Sequence, residues 1–376
     1  TGGATATAGH DGGAPDAAVD GASDGPVPAL SAGPCSPPVN AAAPIVRLAD
    51  TGCMDATTPT KMANIVVPYE VNSPLWSDNA DKFRGFVLPA GKKIHVKDCA
   101  ATPAECPQGA QDDGKWTMPV GTVMVKSFGF DGKLVETRLL VHSDATKWTG
   151  YSYKWNTAQT EAVVTPPDED LNNVRANVDF NTGSRTVHWV FPYRYECPVC
   201  HTPQAGGTLG METRQMNRTV ALMNQVGMNQ IDVWKTKAYF EGTGPKTPYA
   251  AAYVLPYDGQ LGKASGTVEQ RARSYMQANC AYCHRPDAEY PALDFRYDTT
   301  LKNTGACGMD TVRGNLGDPT AQILKAGKPM QSAMWMRMNA PFMDDKTRMP
   351  QLATYVLDTA GLKVMSDWIT SITACP

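Results

Sequence analysis

The chain has 376 residues, 42% of them hydrophobic, and a formal net charge of −3. That length can bury a sizeable core and favours two or three domains over one. The charge lacks the basic excess that displaces counterions from nucleic acid, and no apolar run approaches the ~20 residues that cross a bilayer, so no nucleic-acid partner and no membrane span are expected.

Residues 1–44 are dominated by Gly, Ala, Asp and Pro and contain no aromatic residue. They carry too little apolar surface to offset chain entropy, so a disordered tether is expected, with His10 simply solvated. The first residue is not Met, which fits a processed start with a signal peptide removed and fits a trimmed chain as well, and the tether is the one place where membrane attachment would occur.

Residues 45–193 read as a β-rich domain. Short segments such as "GFVLP", "TVMVKSFGF", "LVETRLLVH", "YSYKW" and "TVHWVF" are separated by the turn signals "PAGK", "DGK" and "NTGS", which predicts an antiparallel β-sandwich or barrel. Leu134, Glu136 and Arg138 alternate with Val135, Thr137 and Leu139, the pattern of a half-buried strand. Trp76, Trp116, Trp148, Trp155, Trp189, Tyr151 and Tyr153 are expected in the core.

Past position 193 the apolar spacing becomes helical. Within 194–262, Leu209, Met216, Val220 and Met223 fall close to one helical face, and Ile231 and Trp234 belong to the next helix. A Gly/Pro-rich linker leads into 263–376, where "TVEQRARSYMQANCAYCH" predicts a helix running into its motif. "DTAGLKVMSDWITSI" predicts a last helix, with Asp358 as N-cap and Leu362, Met365, Trp368, Ile369 and Ile372 on one face.

Two of these segments carry C-x-x-C-H: Cys197, Cys200 and His201 in "ECPVCHTP", and Cys280, Cys283 and His284 in "NCAYCH". A structural zinc site needs a further pair of ligands, and His10, His95, His142 and His188 form no such set. A thioredoxin-like dithiol needs a βαβ context that both motifs lack. Covalent haem satisfies the pattern directly, each Cys forming a thioether with a vinyl group and the adjacent His lying under the iron. Two covalently bound haem c groups are the expected cofactors.

Met349, in the loop "TRMPQLATYVL", is the candidate sixth ligand of the second iron. Met330, Met334, Met336, Met338 and Met343 compete on composition but read more simply as gap-filling residues. For the first iron, Met216 lies on the apolar helix face with Met211 roughly opposite. His188 is a further candidate, and if none binds the iron is open.

Six cysteines remain, an even number that suits an exported chain. Proximity pairs Cys35 with Cys53 and Cys99 with Cys106, and elimination leaves Cys307 with Cys375.

From about Tyr69 onward, the stretches "PYEVNSPLWSDNADKFRGFVLPAG", "PVGTVMVKSFGF", "ETRLLVHSDATKWTGYSYKWNTAQTEA", "FPYRYECPVCHTPQAGGTLGMETRQMNR" and "NCAYCHRPDA" resemble the SO2930 family of dihaem c-type cytochromes. The last hundred residues look like a class I cytochrome c domain, with Cys280, Cys283, His284 and Met349 at its haem positions. Leu can replace Met216 in that family, which leaves room for His188 or an open site. The residue patterns and the likeness of the last hundred residues together give the expectation of an α+β multidomain chain, with the β-sandwich or barrel-like domain followed by α-helical cytochrome c domains at 194–262 and 263–376. The resemblance implies an exported bacterial electron carrier, periplasmic or at the cell surface, passing electrons between redox partner proteins.

The alternative is a dihaem peroxidase or oxidase with an open first haem. A third reading makes the β-domain a docking or carbohydrate-binding unit.

Overall fold

Runs of β-branched and aromatic residues between glycine turns build the first half of the chain. The computed structural model describes residues 35, 44–107, 109–165, 177–222, 225–256, 265–341, 348–351 and 354–376. The expected tether lies outside these except for Cys35 and Pro44. β1 (Val67–Pro68) and β2 (Asp81–Val87) precede a short ladder, β3 (His95–Val96) against β4 (Trp116–Thr117). β5 (Val123–Phe130), β6 (Lys133–Asp144), β7 (Lys147–Trp155) and β8 (Ala162–Val164) then run up and down. Together they form one antiparallel sheet in the order β1-β2-β5-β6-β7-β8. Asp131 and Gly132, at φ 51° and 78°, make the tight turn between β5 and β6, which is why an Asp-Gly pair stands there.

The hairpin β9 (Asn177–Asn181) with β10 (Thr186–Val190) lays Trp189 against Phe128 and Phe130. The expected sandwich or barrel is corrected: the large sheet is open, because its end strands β1 and β8 do not pair, and among the described residues the other sheets have two strands each.

Register decides what each face carries. β2, β5, β6 and β7 align Phe86, Met124, Leu140 and Gly150 in one row, and Arg84, Lys126, Arg138 and Ser152 in the next. The intervening Val125, Leu139, Tyr151 and Tyr153 point to the opposite face, where they pack with Cys35, Leu48, Cys53 and Met54. Both faces are therefore covered, and β6 is buried along most of its length instead of on one side. Glu136 is tolerated there, fully enclosed, because Arg138 binds it through Nε and Nη2 at 2.8 Å each. Ser152 and Trp189 donate to the same carboxylate. Of the aromatic residues expected in the core, only Trp76 is partly exposed.

The second half departs from expectation. α1 (Cys197–Cys200) and α2 (Thr213–Met216) are single turns, β11 (Thr219–Leu222) and β12 (Gln225–Asn229) form a hairpin, and α3 (Gln230–Thr236) has seven residues. α4 (Val268–Asn279), α5 (Ala333–Met338) and α6 (Thr359–Ser371) complete the described helices. The expected α-helical cytochrome c domains are thus overturned: the described residues are organised on a six-stranded antiparallel sheet, with short helices set in irregular backbone. The reason is local. Gly206, Gly207 and Gly210 take positive φ, as does Leu209 at 51°, so no helix can carry Leu209, Met216 and Val220 on one face. Val220 lies in β11 instead, and Met223 falls outside the described residues.

Those apolar residues reach a common core all the same. Met211, Met216 and Val220 pack with Trp116, Trp234, Tyr239 and Phe240 and with Phe86, Met124 and Leu140 from the sheet. This core runs across the expected boundary at 193.

α4 and α6 form where the sequence predicts. Thr267 and Gln270 close a capping box on α4, and Asp358 accepts from the Gly361 N–H at 2.8 Å to cap α6. The helices cross closely, since a Cβ on Gly361 would meet the Tyr275 ring at 2.4 Å. Residues 72–78 strap this half to the sheet. Trp76 N–H donates to Asn279 Oδ1 at 2.7 Å, Ser73 Oγ donates to the Ser274 carbonyl, and Asp78 accepts from the N–H groups of Tyr355 and Val356.

Three disulfides join Cys35 to Cys53, Cys99 to Cys106 and Cys307 to Cys375, the pairs expected from proximity and elimination. Bonds of this kind form and persist in secreted, extracellular or periplasmic proteins. Among the described residues no helix is long and apolar enough to cross a membrane.

Candidate functional site

The first motif begins at a turn stabilised by Glu196, whose side chain accepts from the Tyr193 N–H at 2.8 Å. α1 rests on β7 at Gly150, where a Cβ would lie 2.4 Å from Cys197 Sγ, so the sheet leaves room for this thiol only because position 150 has no side chain. His201 follows, its backbone N–H bonded to the Cys197 carbonyl and its Nδ1 to the Gly207 carbonyl. A carbonyl only accepts, so Nδ1 carries the proton and Nε2 keeps a lone pair for a metal. Gly207 is itself pressed against the Trp148 indole, which stacks on His142 at 4.3 Å.

The second motif starts one residue after α4. The His284 ring sits between those of Tyr290 and Phe295, with centroids 5.2 Å away in each case. Its Nδ1 is buried with no hydrogen-bond partner among the described residues. Burial pushes both His201 and His284 down to about 4, so both imidazoles are neutral near pH 7 and able to ligate.

Both motifs open into one cavity of about 700 Å³, lined by all six residues Cys197, Cys200, His201, Cys280, Cys283 and His284. Pockets for small molecules run from about 300 to 1,000 Å³. Cys200 Sγ and Cys283 Sγ are 3.8 Å apart. The hydrogen bond between them, with burial, pushes the Cys200 thiol up, and the same bond pulls Cys283 down. Burial, aided by the neighbouring Cys283, carries Cys280 up to about 12.

The candidate axial residues divide sharply. Met349 lines the cavity, its N–H held by the Arg337 carbonyl at 3.0 Å. Met216 and Met211 do not line it; both are buried in the core beside Trp234, and Gln230 Nε2 lies 3.8 Å from Met216 Sδ. His188 also lies off the cavity, on β10, with Nδ1 2.9 Å from Asp179 Oδ1 and its ring against Tyr355. Among the competitors, Met334 and Met338 line the cavity, Met330 is exposed, Met336 does not line it, and Met343 lies outside the described residues. Met124 and Met309 line it without having been singled out by sequence.

Sequence reasoning also missed the cations. Arg84, Lys126 and Arg138, neighbours across β2, β5 and β6, line the sheet wall of the cavity. Basic residues set among the apolar residues of each strand are the only sign of them in the sequence.

No family model matches the chain, and no curated protein and no solved structure matches it.

The residues present fit a covalently held macrocycle. The four thiols outside the disulfides are the four motif cysteines, two neutral imidazoles share their cavity, and Nε2 of His201 is free of the bond that holds Nδ1. A bare metal ion fits less well, because among the described residues no three His, Cys, Asp or Glu side chains converge as an ion site requires.

Proposed function

We propose that this chain is an exported dihaem c-type electron carrier, working in the bacterial periplasm or at the cell surface between redox partner proteins. The observation that carries this reading is the convergence of two complete C-x-x-C-H motifs on one cavity, with Cys200 and Cys283 in contact. A haem bound at each motif supplies one-electron chemistry.

The work of the chain's own residues follows from where they stand. Cys197 with Cys200, and Cys280 with Cys283, provide the thioether sulfurs, and His201 and His284 the proximal nitrogens. The Gly207 carbonyl fixes the His201 ring, and the Tyr290 and Phe295 rings confine His284. Met349 is the proposed sixth ligand on the second side, where a thioether favours a higher potential. Apolar walls exclude water, which also disfavours the more highly charged oxidised state. Any membrane attachment would come through the N-terminal segment.

The second reading, a peroxidase or oxidase with an open first iron, draws on one observation: Met216, Met211 and His188 all lie off the cavity. One experiment tests both readings. The chain is produced with the c-type maturation machinery, covalent haem is counted per chain, and the reduced protein is titrated with carbon monoxide. Two haems and no carbon monoxide binding fit a carrier, one binding site fits the enzyme, and absence of covalent haem defeats both. Met349→Ala should lower the potential of the second haem; an unchanged potential removes Met349 as its ligand.

A further inference from the structure

The row Arg84, Lys126, Arg138 places three cations side by side on adjacent strands, an arrangement that repels itself unless anions offset it. One carboxylate does so in part. Glu136 takes both forks of Arg138, and its remaining capacity goes to Ser152 and Trp189. The Phe128 ring lies 4.8 Å from Lys126 Nζ and 4.5 Å from the Arg138 guanidinium, which eases the repulsion without cancelling charge. Among the described residues neither Arg84 nor Lys126 has a carboxylate within ion-pair distance.

All three cations border the cavity, so their missing counter-charge belongs to whatever fills it. Lys126 and Arg138 stand at its first-motif end, and Arg84, next in the row, also acts on Tyr282 of the second motif. Gly150, one row away, touches Cys197, and Lys126 and Arg138 are the cations that act on His201, whereas Arg313 acts on His284.

We propose that Arg84, Lys126 and Arg138 form an anion shelf that receives the propionate carboxylates of the haem attached at Cys197 and Cys200. This rests on the dihaem reading. Arg84 supplies charge that no ion pair compensates, Lys126, which burial and the neighbouring cations drive well below the ordinary lysine range, regains its proton beside a carboxylate, and Arg138, already neutralised by Glu136, supplies orientation and remaining N–H donors.

The test uses the haem-loaded chain with Lys126→Met, Arg84→Met and the conservative Lys126→Arg. Covalent haem per chain and the reduction potential of each haem are measured. Removing a cation favours the oxidised state, so Lys126→Met should lower the potential of the first haem more than that of the second, Arg84→Met should lower the first as well, and Lys126→Arg should restore it. In haem-free chain Lys126→Met should melt no lower than the wild type, because a buried amine whose charge no counter-ion supports has been removed. Unchanged potentials in both Met variants with two haems attached overturn the shelf. So does loss of the first haem that Lys126→Arg fails to restore, since that marks a structural role. A wild-type chain with no covalent haem overturns the dihaem reading itself, a result distinct from any shift in potential.

Discussion

The sulfurs of Cys200 and Cys283 lie 3.8 Å apart although 83 positions separate them in the chain. Two thiols that close are within easy reach of a disulfide, whose S–S bond is about 2.05 Å. In haem-free chain, an added thiol oxidant such as diamide should take one hydrogen from each and join them. Non-reducing peptide mapping should recover the Cys200–Cys283 peptide, and the haem-loaded protein should give none. Recovery of Cys197–Cys200 alone would show that the two motifs do not meet.

Gly150 is the contact point between the sheet and the first motif. Gly150→Ala puts a methyl group where Cys197 Sγ now lies, an overpacking that typically costs about 1–3 kcal/mol. Cys197 must move away from its attachment position. Covalent haem per chain should fall from two towards one, the remainder mapping to the Cys280–Cys283 peptide; two haems in this variant would mean the contact relaxes without consequence.

Glu136 and Arg138 form a pair that tolerates no half-removal. Glu136→Gln leaves the partly buried guanidinium without its counter-charge, at a cost of up to about 3 kcal/mol, the lower end for a buried pair, read by urea denaturation. Replacing both, Glu136→Leu with Arg138→Met, should recover part of that loss. A double variant as unstable as Glu136→Gln would locate the effect in packing instead.

His95 bridges Glu105 and Glu241, at 2.7 and 3.0 Å, and the Glu105 hydrogen bond, aided by that of Glu241, raises its pKa above the ordinary 6.5. Its folded pKa is the higher one, so the stabilisation is complete below about pH 6.5 and is lost as the pH rises through the raised value. The melting temperature of wild type relative to His95→Gln should therefore be most favourable near pH 6, shrink towards pH 8, and shrink further with salt because the site is partly exposed. A difference independent of pH would assign His95 a packing role.

The legibility of the chain follows the range of the interactions involved. The motif residues, the α6 cap at Asp358 and the Asp131-Gly132 turn are written in adjacent positions, and the sequence displays them. Met216 shows where that fails: its spacing from Leu209 and Val220 fits a helix, but positive-φ residues between them bend the backbone, and burial beside Trp234 satisfies the same apolar pattern. Arg84, Lys126 and Arg138 become neighbours only through strand register, which is set by pairing between residues 42 and 12 positions apart. The meeting of the two motifs is likewise a property of the shared cavity, and neither motif alone hints at it.

The strap at residues 72–78 carries a consequence for unfolding. Ser73, Trp76 and Asp78 bond to backbone or side chains at 274, 279, 355 and 356, so the end of α4 and the approach to α6 are held by the same seven residues that lead into β2. Neither motif can lose its surroundings while the other keeps them. The chain should melt in a single cooperative transition from which no half-folded species separates.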